Sequence, residues 1–264
     1  MSDRIEDRFS ARNRFRATTA PLILAVLSVA FSATSARADF IDGFEGSTID
    51  PYWSTFLQNG SITLTTAIAH SGKQSAQFSS TDANANRYEQ LFHNFATPTY
   101  GTASVWIYDT GAGVSSSNYI GFSLNNASTG FTAGLTTYDY GFQGNGPGRG
   151  DQYDYFDYSS TQNGGATGIY RTQAWHQYKV IDTPDMLSIL LDGTTIYTRA
   201  GGTPFTQILL YSQAPGFRPA FSQYYDDFAF TPAAVPEPSS LILAVVGCVT
   251  IFGHQAIRRH RLNR

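Results

Sequence analysis

Between Asp39 and Ala234 no stretch of the chain keeps a helical period. Short runs alternate apolar and polar residues instead: Ile62 and Leu64 are separated by Thr63, Ala103, Val105 and Ile107 alternate with Ser104, Trp106 and Tyr108, and Tyr178 and Val180 oppose Gln177 and Lys179. A two-residue period turns one set of side chains to a core and the other away from it, which is the pattern of a half-buried strand. The run Met186–Leu191 meets Asp192-Gly193 and is followed by Thr195-Ile196-Tyr197. Asp and Gly both tolerate the positive φ of a tight hairpin turn, so this segment predicts two paired antiparallel strands. The runs Phe205–Tyr211 and Tyr225–Phe230 predict the last two strands. About a dozen short strands at this spacing predict an all-β fold, a two-sheet antiparallel β-sandwich. No internal repeat is visible, which argues against a propeller or a solenoid.

The two ends read differently. Residues 1–38 hold Arg4, Arg8, Arg12, Arg14 and Arg16, then the apolar run Pro21–Phe31, then Ala36-Arg37-Ala38. Basic region, apolar region and a small-x-small site, in that order, make a secretory signal peptide with cleavage expected after Ala38. Residues 235–264 hold Pro236-Glu237-Pro238, an apolar stretch Leu241–Gly253, and a basic end with Arg258, Arg259 and Arg261. A short hydrophobic helix followed by arginines stays in the inner membrane with the arginines inside. This tail resembles the PEP-CTERM sorting domain of Gram-negative bacteria. The resemblance implies recognition by an exosortase and the secretion machinery, a transient tail anchor, and a final place at the cell surface or in the extracellular matrix.

The intervening 39–234 segment is one β-sandwich domain in this reading, large enough for a single core. Of the chain's 17 Lys/Arg and 20 Asp/Glu, ten basic and four acidic residues lie in the two ends. Seven basic and sixteen acidic residues remain, a net of −9. Nucleic-acid binding needs a cationic surface, so that class is set aside. The single cysteine, Cys248, lies in the tail, so the domain has neither a disulfide nor a cysteine metal site.

Several segments resemble, in order, the jelly-roll sandwiches of concanavalin A-like lectins, laminin G-like domains and carbohydrate-binding modules. They are Asp42-Gly-Phe-Glu45, Asp50-Pro-Tyr-Trp53, Ala69–Phe78, Ala174-Trp-His-Gln-Tyr178 with the Leu191-Asp-Gly193 hairpin, and Tyr224-Tyr-Asp-Asp-Phe228. In many of those modules a structural calcium ion ties the first strand to the last. The resemblance places candidate ligands at Glu45, Asp226 and Asp227, with a backbone carbonyl from the turn around Lys73. Calcium takes six to eight hard oxygen ligands, which suits such a set. Strand parity from Phe228 and Phe230 turns Asp226 inward and Asp227 outward. An inward carboxylate needs either a cation or several hydrogen-bond donors.

The middle of the domain is rich in tyrosine and aspartate. Tyr138 and Tyr140 precede a glycine-rich stretch, and Asp151, Tyr153, Tyr155 and Asp157 fall on one face of a predicted strand. Aromatic rings stack on sugar C–H faces and carboxylates accept sugar hydroxyls, so these six residues are candidate ligand contacts. Plain packing of tyrosine-rich strands is the competing explanation. Catalysis is not expected. The domain has only two glutamates, Glu45 and Glu89, and neither lies in the Glu-x-Asp-x-x-Glu strand motif of concanavalin-like hydrolases. The expectation is therefore an exported sandwich that binds carbohydrate such as extracellular polysaccharide without catalysis, or a purely structural surface or adhesion protein, with a glycoside hydrolase or polysaccharide lyase third.

Overall fold

A computed structural model describes residues 39–80, 85–110, 119–126, 130–137, 152–158, 163–214 and 221–233. These residues belong to a compact unit, Ala38–Ala234. The signal, with Ala36 and Ala38, and the tail, with Pro236, Glu237, Pro238, Arg258, Arg259 and Arg261, lie outside the described residues.

Fifteen strands follow one another: β1 (Phe40–Asp42), β2 (Ser54–Gln58), β3 (Gly60–Thr65), β4 (Ser75–Ser80), β5 (Arg87–Thr99), β6 (Gly101–Asp109), β7 (Tyr119–Asn126), β8 (Gly130–Thr136), β9 (Gln152–Asp157), β10 (Asn163–Tyr170), β11 (Ala174–Asp182), β12 (Met186–Leu191), β13 (Thr194–Ala200), β14 (Phe205–Ala214) and β15 (Phe221–Pro232). They form two sheets. The eight-stranded sheet runs β13-β12-β11-β6-β15-β4-β3, with β1 also on β15, and the seven-stranded sheet runs β10-β9-β8-β7-β14-β5-β2. Every described pairing is antiparallel. The all-β sandwich expected from the alternation is the fold observed.

Between the sheets lies one core, with Phe78, Val105, Ile107, Tyr178, Val180, Ile189, Tyr225 and Phe228 from the larger sheet and Leu91, Phe122, Leu124 and Leu210 from the smaller. Burial of such side chains is the main stabilising term, worth roughly 1.5–3 kcal/mol for each large one. The hairpin predicted at Asp192-Gly193 joins β12 to β13, and both residues have positive φ, 49° and 76°.

One strand changes neighbours along its length. Residues Phe221–Tyr225 of β15 pair with β4, and Phe228–Phe230 pair with β1. On its other side β15 pairs with β6 from Tyr224 to Pro232, with a register shift between Asp226 and Ala229. Asp227 there has φ 45°. A bulge of this kind sets two residues against one and re-aims the side chains. It overturns the parity expected from Phe228 and Phe230. Tyr225 and Phe228 both point into the core, while Asp226 stands beside Trp106 on the opposite face.

Candidate functional site

Strand β6 alternates strictly. Ala103, Val105 and Ile107 are buried in the core, and Thr102, Ser104, Trp106 and Tyr108 form the other face, each half-buried. Register extends that face across the sheet. On β11, Trp175 lies beside Tyr108, Gln177 beside Trp106 and Lys179 beside Ser104. On β15, Tyr224 lies beside Tyr108, and on β4, Gln77 lies beside Tyr224. The rings touch. Tyr108 meets Trp175 edge-on at 5.5 Å and Tyr224 at 6.2 Å between centroids. His70, in the turn before β4, lies flat on Trp106 at 3.8 Å and meets Trp175 edge-on at 5.7 Å. Around the rings stand hydrogen-bonding groups: Gln77 donates to Ser222 at 2.9 Å, and Ser79 and Ser222 share a 2.9 Å bond. Half-exposed aromatic rings among amides, hydroxyls and a cation can hold a sugar by its C–H face and its hydroxyls together.

The turn that carries His70 is held by the bulge. Asp226, fully buried, accepts from the backbone N–H of His70 at 2.7 Å, of Ser71 at 3.2 Å and of Asp227 at 2.8 Å. Burial nevertheless pushes its carboxyl above the usual range, and the three N–H bonds pull against that. Asp227 takes His70 Nδ1 at 2.6 Å and the Ser71 hydroxyl at 2.7 Å. Glu45, just after β1, accepts the N–H groups of Lys73 at 2.6 Å and Gln74 at 2.8 Å. The seam where β15 exchanges β4 for β1 leaves backbone N–H groups without a ladder partner, and these three carboxylates supply the acceptors.

The residues expected to hold calcium are thus brought together, but as acceptors of N–H donors. Lys73 offers its N–H to Glu45. The buried acid has several donors, the backbone N–H groups of His70, Ser71 and Asp227. No group of three or more His, Cys, Asp or Glu among the described residues is arranged to hold a metal.

The tyrosine-rich face is corrected too. Asp151, Tyr138 and Tyr140 lie outside the described residues. Tyr153 is fully buried in the core. Tyr155 stacks on Tyr197 of the opposite sheet at 4.8 Å. Asp157, also buried, accepts from Arg199 Nε at 2.6 Å and the Tyr197 hydroxyl at 3.1 Å. The three do share a face, as the alternation said, but that face is turned into the sandwich. Phe156 sits on the other face and is more apolar than the tyrosines, so alternation alone could not orient the strand. The residues missed were Trp106, Tyr108, Trp175 and Tyr224. The signal was present, because Trp106 and Tyr108 alternate with the core residues Val105 and Ile107.

A second His–Asp pair gives a useful contrast. His176 Nδ1 is 2.6 Å from Asp192, and its Nε2 is taken by the Thr172 hydroxyl at 2.8 Å. His70 Nδ1 is likewise taken by Asp227, but no described group takes its Nε2. Its side chain is 26% exposed, so Nε2 can reach a ligand lying on the aromatic face.

No protein-family model matches the chain, and no curated protein matches its sequence. Solved structures match its fold. The protein is similar to the "Cellulose induced protein, Cip1" at 16% identity, over 72% of this chain and 96% of that one, with TM-score 0.53. It is similar to a glycoside hydrolase family 16 endo-glucanase from Bacteroides ovatus at 11% identity, over 72% of this chain and 99% of that one, with TM-score 0.51. It is similar to the Crh5 transglycosylase in complex with NAG at 15% identity, over 75% of this chain and 85% of that one, with TM-score 0.53. At such identities the likeness is one of fold, the jelly-roll sandwich of concanavalin A-like proteins. It also corrects one expectation. Catalysis was set aside because the Glu-x-Asp-x-x-Glu motif is missing, yet the solved neighbours are mainly glycoside hydrolases and transglycosylases. The missing motif is no ground for excluding a glycan-active enzyme.

Proposed function

We propose that this chain is an exported carbohydrate-active protein that engages glycan on the aromatic face of its larger sheet. The observation that carries this reading is the contiguous patch Tyr224–Tyr108–Trp175–His70–Trp106, ringed by Gln77, Gln177 and Lys179. Export rests on the N-terminal signal. Sorting to the cell surface rests on the tail's resemblance to exosortase substrates. Enzymatic action on the bound glycan is supported by the fold of the solved neighbours and by His70, whose Nε2 is open beside the rings while Asp227 holds its Nδ1.

The test takes the full-length chain in mild detergent against a polysaccharide panel. Binding is followed by calorimetry and cleavage by release of reducing ends. Saturable binding is expected, weakened by about tenfold or more by Trp106→Ala or Trp175→Ala with the fold kept. Reducing ends released by the parent and not by His70→Gln add the enzymatic reading. Absence of binding to every glycan, with a folded protein, leaves a purely structural surface role in its place.

A further inference from the structure

The charges on the aromatic face are unequally spent. Its two acids, Asp226 and Asp227, are both consumed by the clasp on His70 and Ser71. Its cation is not. Five described residues carry a fixed positive charge: Lys73, Arg87, Arg171, Lys179 and Arg199. Arg171 is bound by Asp109 and Arg199 by Asp157. Arg87 is buried, with its guanidinium 5.8 Å over the Phe221 ring. Lys73 stands in the exposed turn. Lys179 alone of the five stands on the aromatic face, beside the rings, and no described carboxylate pairs with it.

Its position follows from register. Lys179 sits beside Ser104 and two residues along β11 from Gln177, which lies beside Trp106. Diagonal neighbours on one sheet face are about 7–8 Å apart, within reach of a lysine stem. The residue is half-buried, and a lysine stem of this kind can lie along apolar surface while its ammonium reaches the polar rim. A cation without a described counter-ion on a half-buried aromatic face offers a ligand anion a charge-assisted hydrogen bond. The domain as a whole is strongly acidic, so long-range attraction does not draw an anion here. A local, directed contact is required, and Lys179 supplies one.

We infer that the face takes an acidic glycan, in which a sugar ring stacks on Trp106 or Trp175 while its carboxylate pairs with Lys179. This rests on the glycan reading above and narrows it to uronate-containing chains.

The experiment uses matched pairs: tetramers of galacturonate, glucuronate and mannuronate, each against its carboxyl-reduced neutral counterpart, titrated into the full-length chain by calorimetry. For at least one pair the acidic member is expected to bind about tenfold tighter or more. Lys179→Met, which keeps the stem and removes the charge, brings the acidic member down to the level of its neutral counterpart, and Lys179→Arg keeps the preference. Equal binding of both members of every pair, or a Lys179→Met variant that binds as the parent does, overturns the inference and leaves the glycan reading standing. Failure of every tetramer and of every neutral polysaccharide overturns both. The thermal melt of each variant reports whether it has folded.

Discussion

The imidazole of His70 lies flat on the indole of Trp106, with ring centroids 3.8 Å apart and planes 16° from parallel. The two residues come from different levels of the structure. Trp106 is placed by the alternation of a central strand. His70 is placed by a turn bonded to the carboxylates of the β15 bulge. The stack therefore couples the aromatic face to the seam where β15 changes partners. Asp227 keeps a left-handed φ of 45° with a side chain that pays for the strain by binding both His70 and Ser71.

Asp226 is the acceptor on which that clasp depends. Replacing it with alanine leaves the N–H groups of His70, Ser71 and Asp227 without their acceptor. The expected cost is about 2–4 kcal/mol in urea unfolding. Asp226→Asn restores one acceptor oxygen but turns an NH2 group toward N–H donors, so it recovers only part of the loss. An Asp226→Ala variant as stable as the parent would show that the turn holds itself.

The other end of β6 is closed by a buried ion pair. Arg171 grips Asp109 through Nε at 2.9 Å and through Nη2 at 2.6 Å, and both side chains are almost wholly buried, 2% and 1% exposed. Removing one partner leaves the other charge buried alone. Asp109→Asn or Arg171→Met is expected to cost about 3–5 kcal/mol, while the double replacement Asp109→Leu with Arg171→Met costs less than either single change. Unfolding curves of the three variants check the non-additivity.

A pH dependence follows from Glu89. Its carboxyl is fully buried on the inner face of β5, against Gly60, where any Cβ would collide with it. Burial raises its pKa to about 7, with Ser212 and Arg87 pulling the other way. The folded protein then holds a proton on Glu89 that the unfolded chain releases near the ordinary glutamate value of 4.5. The stability this contributes is complete below about 4.5 and fades as pH rises through about 7. Asp182, raised to about 7 by burial, acts in the same direction. The urea midpoint is expected to fall between pH 5 and pH 8, by about 1 kcal/mol or more for each group. Glu89→Gln, which stays neutral, should flatten part of that slope. A midpoint independent of pH in both proteins would show that Glu89 is charged inside the fold.

The fold was legible because a two-residue period, an Asp-Gly turn and an absence of helical pattern all point the same way. Residues that alternate with Val105 and Ile107 were assignable to one face from sequence alone. What the alternation could not supply was the direction of a face with aromatics on both sides, as in β9, where Tyr153 and Phe156 both read as core. Nor could it supply the bulge at Asp226-Asp227, because one inserted residue reverses every parity beyond it. The site assembles from residues far apart in sequence, Trp106, Trp175 and Tyr224 brought together by strand order and His70 by the clasp. Strand order is set by the packing of two whole sheets and leaves no local mark.

The same clasp makes a prediction about calcium. If carboxylates from both ends of the domain held an ion, chelation would free their charges to repel one another and the domain would loosen. Here Glu45, Asp226 and Asp227 are compensated by backbone N–H groups, a hydroxyl and an imidazole. Their mutual repulsion is offset by these donors without a cation. The melting temperature is therefore expected to be the same in EDTA and in millimolar calcium. Asp227→Asn should lower it in both solutions alike, because the variant weakens the bonds to His70 and Ser71. A melt that rises with calcium in the parent and loses that response in Asp227→Asn would place an ion at this seam and require the turn to rearrange around it.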